Sequence, residues 1–432
     1  MPIRIRICNQ VRRIFKLGII ITASIFLLQQ TNAERVDLIG RVQAFTRHFE
    51  FDFVSWTLNA FWVKGIQKSL GISTYISESN RSEIVLSYLD LEDLINKVDR
   101  EISGKFSDPE VADPEGATSN LRNLRDELVQ KRDSLAPIVE SILQDQLSKS
   151  IADLNLTFGG QPIPPILYHV TETPKSLIVS PRSVIRQDAN ISIEPDISLD
   201  QQSVLENKVD QSLNVSSLVV GVGGIGLYPT MVMETNSINW LAEVVSHEWV
   251  HNFLTLRPLG ASYGTSPDMR TINETVANLA GKEIAAALIE EFYPKFIPPP
   301  PQSQISENET PSDDDQSVFD FDKEMHETRV VVDSLLADGK IETAENYMEQ
   351  RREFFWENGY QIRKLNQAYF AFHGAYADEP GGASGAAEDP IGDAVRKLRS
   401  QNPSLAAFLN QISWMWSLEQ LQKAVQDSSN IN

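Results

Sequence analysis

Residues 244–254 read "VVSHEWVHNFL", with His247, Glu248 and His251 in the order H-E-x-x-H. Positions four apart share one face of an α-helix, so His247 and His251 can present their imidazoles to a single ion. Glu248, three residues before His251, can reach water at that ion while staying out of the ligand set. Zinc suits the arrangement because it accepts neutral imidazole and carboxylate ligands tetrahedrally, and a catalytic site keeps one position for water. Such an ion lowers the pKa of water toward about 7. Glu248 would take the proton during attack on a carbonyl and pass it to the leaving amine. The competing reading is an ordinary amphipathic helix that carries two histidines.

The flanks place the motif in a helix. "NSINWLAEVV" (236–245) offers polar capping residues and then apolar ones. After a turn-rich loop, "RPLGASYGTSPD" (257–268), a second helix is expected over 271–292. Glu274 near its start is a candidate third ligand, although an acid in a first turn also simply suits the helix dipole. Ala277 and Gly281 recur at helical spacing from Glu274, and their small side chains would let the two helices approach closely.

H-E-x-x-H followed on the next helix by Asn-Glu-x-x-Ala ("NETVAN", 273–278) resembles the gluzincin metallopeptidases, the thermolysin and zinc-aminopeptidase group. The resemblance covers roughly 216–290. It implies zinc held by His247, His251 and Glu274, with Glu248 as general base. It also implies that an edge strand holds the substrate backbone, a role falling on Gly223, Gly224 and Ile225 within "GVGGIGLYPTMV" (221–232). A glycine-rich bend in a strand would read the same way. Where thermolysin-like enzymes carry an Asp that supports a zinc-bound histidine, this chain has Asn278, an acceptor without charge. The 22 residues between His251 and Glu274 also exceed the usual gap.

"RKLNQAYFAFHGAYAD" (363–378) and "PSLAAFL" (403–409) are similar to the C-terminal helices of bacterial zinc aminopeptidases. A donor for the developing oxyanion is expected there. Tyr376 is favoured, with Tyr369, His373 and, in the loop between the two motif helices, Tyr263 as the other candidates. An aminopeptidase would further need a carboxylate for the free amine; Glu243 and acids of the C-terminal loop are available.

The rest of the 432-residue chain sets the frame. Its 41% apolar and 22% charged residues are those of a folded protein. A formal net charge of −21 disfavours nucleic acid as a partner. Basic residues up to Lys16, the short apolar run Leu17–Leu28 and "TNA" (31–33) read as an export signal or an uncleaved N-terminal anchor. Cys8 lies inside that segment and is the only cysteine, so the chain beyond it has neither disulfides nor cysteine ligands.

The expected organisation is a signal or anchor (1–33), an N-terminal helical region (34–155), a catalytic core (156–293), a Pro/Ser/Asp-rich linker (294–318) and a C-terminal helical region closing the cleft (319–432). The fold class is α+β, mostly helical, with a zincin-like core built on a small β-sheet and a two-helix zinc site. The function expected is an exported zinc peptidase, secreted or membrane-anchored, acting on peptide or protein substrates. A zinc-holding binding protein of the same fold without turnover, and a metal-free helical interaction protein, are the alternatives. The last requires Glu274 to lie far from the two histidines.

Overall fold

Among the described residues four helices come first: α1 (Ala33–Thr46), α2 (Phe53–Leu70), α3 (Glu78–Ser107) and α4 (Pro114–Asp153). A β-rich stretch follows, with β1 (Thr157–Phe158), β2 (Gln161–Pro162), β3 (Tyr168–Val170), β4 (Lys175–Pro181), β5 (Ala189–Ile193), α5 (Leu199–Leu213), β6 (Val215–Gly221), β7 (Gly224–Ile225) and β8 (Thr230–Val232). Helices then return as α6 (Ile238–Thr255), the single turn α7 (Pro258–Ala261), α8 (Pro267–Phe292), α9 (Phe321–Ala337), α10 (Ile341–Glu357) and α11 (Gln367–His373). The last three are α12 (Pro390–Gln401), α13 (Leu405–Ile412) and α14 (Leu418–Ser429). The chain is therefore α+β and mostly helical. These elements come from a computed structural model that describes residues 33–70, 76–107, 111–299, 319–373 and 390–429. Residues 1–32 of the export segment, most of the linker and Tyr376 lie outside the described residues. No helix among the described residues is long and apolar enough to cross a membrane.

Besides the antiparallel pair β1–β2, two three-stranded sheets form. In the first, β4 lies between β5 and β6, antiparallel to both, with Ile178 opposite Asn190 on one side and Leu218 on the other. Both faces of β4 are covered, as its unbroken apolar run "LIV" requires. Leu177 and Val179 pack with Val42 of α1 and Leu205 and Val209 of α5, while Ile178 turns to Leu218 and Ala368 of α11. In the second sheet β8 runs parallel to β3 and antiparallel to β7, and β3 and β7 are its edge strands.

The largest core crosses the boundaries expected at 155 and 319. Val85 and Leu89 of α3, Ile142 and Leu147 of α4, Val245 and Trp249 of α6, Ile284 and Leu288 of α8, and Leu398 and Phe408 from the C-terminal helices form one cluster. Burying each large aliphatic or aromatic side chain stabilises by about 1.5–3 kcal/mol, so α6 and α8 are held from several sides. A buried ion pair fixes a further seam: Lys64 Nζ of α2 meets Glu140 Oε2 of α4 at 2.5 Å. The same carboxylate accepts from the Val170 N–H of β3 at 2.8 Å and meets His169 Nδ1 at 2.9 Å.

Both motif helices start at serine caps. Ser237 accepts from the Trp240 N–H at the head of α6, and Ser266 accepts from the Met269 N–H at the head of α8. The second helix thus begins at Pro267 rather than 271. Proline is tolerated at the first helical position because the N–H it lacks has no partner inside the helix. Glu274 consequently sits two turns into α8, not at its start.

Candidate metal centre

Helices α6 and α8 meet through a glycine. A Cβ built on Gly281 would lie 2.9 Å from both Cα and N of His247, so no larger residue fits without moving backbone. Ala277, one turn earlier, is fully buried at the same seam. Residues seven apart lie on one helix face, and this contact brings Glu274 opposite the motif histidines.

His247 Nε2 and His251 Nε2 lie 3.0 Å apart. Glu274 Oε2 is 3.6 Å from the first and 3.4 Å from the second. A triangle of those sides has a circumradius of about 1.9 Å, so a point about 0.7 Å off its plane lies about 2.05 Å from all three atoms, within the zinc bond range. Glu274 Oε2 is buried and has no hydrogen-bond partner. Leaving such an oxygen unpaired is costly unless a cation or proton sits between it and the imidazoles. The donor set, two imidazoles and a carboxylate, fits zinc.

A carboxylate oxygen of Glu248 also lies within 4.8 Å of a ring nitrogen of each histidine. Two acids therefore face the pair. The separations from Glu274 fit one face of a tetrahedron, so either acid could complete a metal site with the two histidines. The strand β7 packs over Glu248. A Cβ on Gly224 would lie 2.8 Å from Val244 Cγ1 and 3.1 Å from Glu248 Oε1, and one on Gly226 would lie 3.1 Å from Glu248 Oε2. These glycines leave room for the carboxylate.

Asn273 sets the histidine tautomer. Its Nδ2 donates to the Leu259 carbonyl at 3.3 Å, which turns Oδ1 toward His251 Nδ1, 2.9 Å away. An amide oxygen only accepts, so Nδ1 carries the proton and Nε2 keeps its lone pair for the ion. The residue that meets His251 Nδ1 is therefore Asn273. Spacing alone did not single it out, because the residue before Glu274 points about 100° round the helix from it, and only the crossing of α8 over α6 shows that this direction leads to His251.

Tyr263 has a different task from the oxyanion donor considered above. Its hydroxyl donates to Glu274 Oε1 at 2.5 Å, orienting the carboxylate whose Oε2 lies near the histidines. Of the other donor candidates, Tyr369 and His373 pack against each other with ring centres 4.3 Å apart and planes tilted by 44°. Burial lowers the His373 pKa to about 4. The residue of α11 that lines the cleft is Phe372. Glu243 does not line the cleft.

Electrostatics within the cluster are strongly coupled. Burial works against a charged His251, but Glu274 outweighs it and raises the imidazole pKa to about 9. Burial likewise opposes ionisation of Glu274, yet His251 and His247 hold its carboxyl well below the usual range. At Glu248 burial wins over both histidines and pushes the carboxyl up, toward the range useful for a general base.

The cluster opens into a cleft of about 360 Å³. Val222, Gly224, Ile225 and Gly226 form one wall, Ser176, Asn190 and Ser192 of the first sheet another, and Tyr263 and Arg270 a third. Of the three residues assigned to the substrate strand, Gly224 and Ile225 reach the cleft. Gly223 instead lies against the Trp240 ring, and its carbonyl accepts from the Met233 N–H at 2.8 Å. Comparison with protein families, with curated proteins and with solved structures gave no match for this chain.

Proposed function

We propose that this chain is a zinc-dependent peptidase of gluzincin type, with a zincin-like core formed by the second sheet, α6 and α8. The observation that carries this reading is the convergence of His247, His251 and the orphaned oxygen of Glu274 on one point, with Glu248 beside it. The metal-free reading expected Glu274 far from the histidines, whereas its Oε2 lies 3.6 and 3.4 Å from them. Zinc held there would supply Lewis acidity, lowering the pKa of water toward about 7 and polarising a carbonyl.

The chain's own groups supply the rest. Glu248, its carboxyl raised by burial, accepts the proton of the attacking water and returns it to the leaving amine. Asn273 holds His251 in the ligating tautomer, and Tyr263 holds Glu274. Gly224 and Ile225 offer edge-strand backbone to an extended substrate, the mode in which a peptide adds to a sheet. The basic-then-apolar N-terminus directs the enzyme out of the cytoplasm, released or anchored.

The test is metal content and peptide hydrolysis of the purified chain beside two variants. About one zinc per chain, lost in His251→Ala, and hydrolysis abolished in Glu248→Gln with zinc retained, are expected. No zinc in any preparation, even after zinc is supplied, refutes the reading. Zinc without hydrolysis leaves a zinc-binding protein that does not turn over.

A further inference from the structure

Arg270 is the one lysine or arginine among the described residues that line the cleft. It stands four residues before Glu274, so the two share a face of α8, and about 6 Å of helix axis separates them. Its guanidinium lies beside the Tyr263 hydroxyl. That hydroxyl has a single proton, which goes to Glu274 Oε1. The Tyr263 oxygen accepts from one guanidinium N–H of Arg270, and the guanidinium carries five, so donors remain for a further acceptor. Its Nε is buried without a hydrogen-bond partner, and among the described residues no carboxylate lies within ion-pair distance of it. A buried, unshared guanidinium donor is costly unless an anion completes it, and a planar fork of N–H groups matches a carboxylate.

The cleft dimensions narrow the anion. About 360 Å³ is at the small end of ligand clefts, which suits a chain end rather than a long polypeptide. One extended residue spans about 3.5 Å, and a hydrogen bond adds about 2.8 Å. Together these match the about 6 Å of helix axis between Glu274 and Arg270. We propose that Arg270 binds the C-terminal carboxylate of the substrate one residue beyond the scissile bond, so that the enzyme removes single residues from free C-termini. This deepens the peptidase reading and rests on it. The carboxylate adds to the guanidinium without covalent change. Hydrolysis of the neighbouring peptide bond then releases one amino acid, with water supplying its elements to the acyl and amine products.

The experiment uses N-blocked dipeptides and tripeptides, each as the free acid and as the C-terminal amide, on the zinc-loaded full chain. Binding is measured by calorimetry in the Glu248→Gln background, where the peptide is not consumed, and kcat and KM are measured in the parent. The free acid is expected to bind about 10- to 100-fold more tightly than its amide, as a charge-assisted pair implies. Arg270→Ala should abolish that preference, with zinc retained, and Arg270→Lys should restore part of it. Equal binding of acid and amide to the parent overturns the proposal. So does an Arg270→Ala that lowers kcat on both peptides equally with KM unchanged, which would make Arg270 a transition-state donor. Binding reports on Arg270 even if no peptide is cleaved, so failure of the carboxylate site and failure of the peptidase reading are told apart.

Discussion

Gly281→Ala tests the packing that assembles the cluster. The added Cβ would lie 2.9 Å from Cα and N of His247, whereas carbon atoms in good contact sit about 3.5–4.0 Å apart. Both neighbours are backbone, so relief comes from moving α8 away from α6 by about 0.6–1 Å. If Glu274 moves about 0.7 Å from both imidazoles, the shortest common distance to the three ligand atoms grows from about 1.9 to about 2.25 Å, past the zinc–oxygen range.

Overpacking of this kind costs about 1–3 kcal/mol, and alanine returns about 1 kcal/mol through its better helix propensity. The metal-free protein should therefore lose only about 0–2 kcal/mol, while zinc affinity should fall about 10- to 100-fold, the scale seen when ligand support is disturbed. Competition with a chromophoric chelator measures the first quantity that matters, and denaturant unfolding of the chelated protein the second. A variant that binds zinc as tightly as the parent, with equal or greater stability, would refute the argument that this contact positions Glu274.

Asn273→Leu removes the acceptor for His251 Nδ1 and the donor to the Leu259 carbonyl. Zinc affinity should drop about 10- to 100-fold by equilibrium competition, and unchanged affinity would mean that the tautomer is set elsewhere. The His251 pKa, raised to about 9 from 6.5 by Glu274, makes the proton a competitor for the ion. Zinc affinity should climb about tenfold per pH unit from 6.5 to 9; a flat profile would contradict the coupling. In the chelated protein the same pair stabilises fully below pH 6.5, and its contribution is lost as pH rises through 9. The depressed Glu274 carboxyl adds the opposite limb, present above 4.5 and lost on acidification. Finally, Lys64→Met strands Glu140, which is 1% exposed and whose pKa Lys64 and His169 hold down to about 2 against burial. Unfolding measurements should show a loss of about 3–5 kcal/mol; a loss below about 1 kcal/mol would show that water or His169 compensates the carboxylate.

Much of this molecule is legible from local pattern. Helix α6 can be read from its apolar periodicity and the cap at Ser237, and α5 from the Ser198–Gln201 capping box that bounds it. The strand β4 follows from its run of β-branched residues. These are properties of one segment and its immediate neighbours, so 3.6-residue and two-residue periods suffice to find them. The pairing of His247 with His251 belongs to the same class, because both lie on one helix and their geometry is inherited from it. Gly281 is legible as a small residue, though not what it touches.

What the chain order cannot express is direction across a tertiary contact. Whether Glu274 faces the histidines depends on the crossing of α8 over α6, which Gly281 permits. The same crossing, and not any spacing, makes Asn273 the partner of His251. It also commits the Tyr263 proton to Glu274 and leaves Arg270 as the cation of the cleft wall. Local sequence determined which helices and strands form and which two imidazoles share a face. Tertiary packing decided that Glu274 faces them and which groups surround the cluster, because those contacts join segments whose relative rotation no local period records.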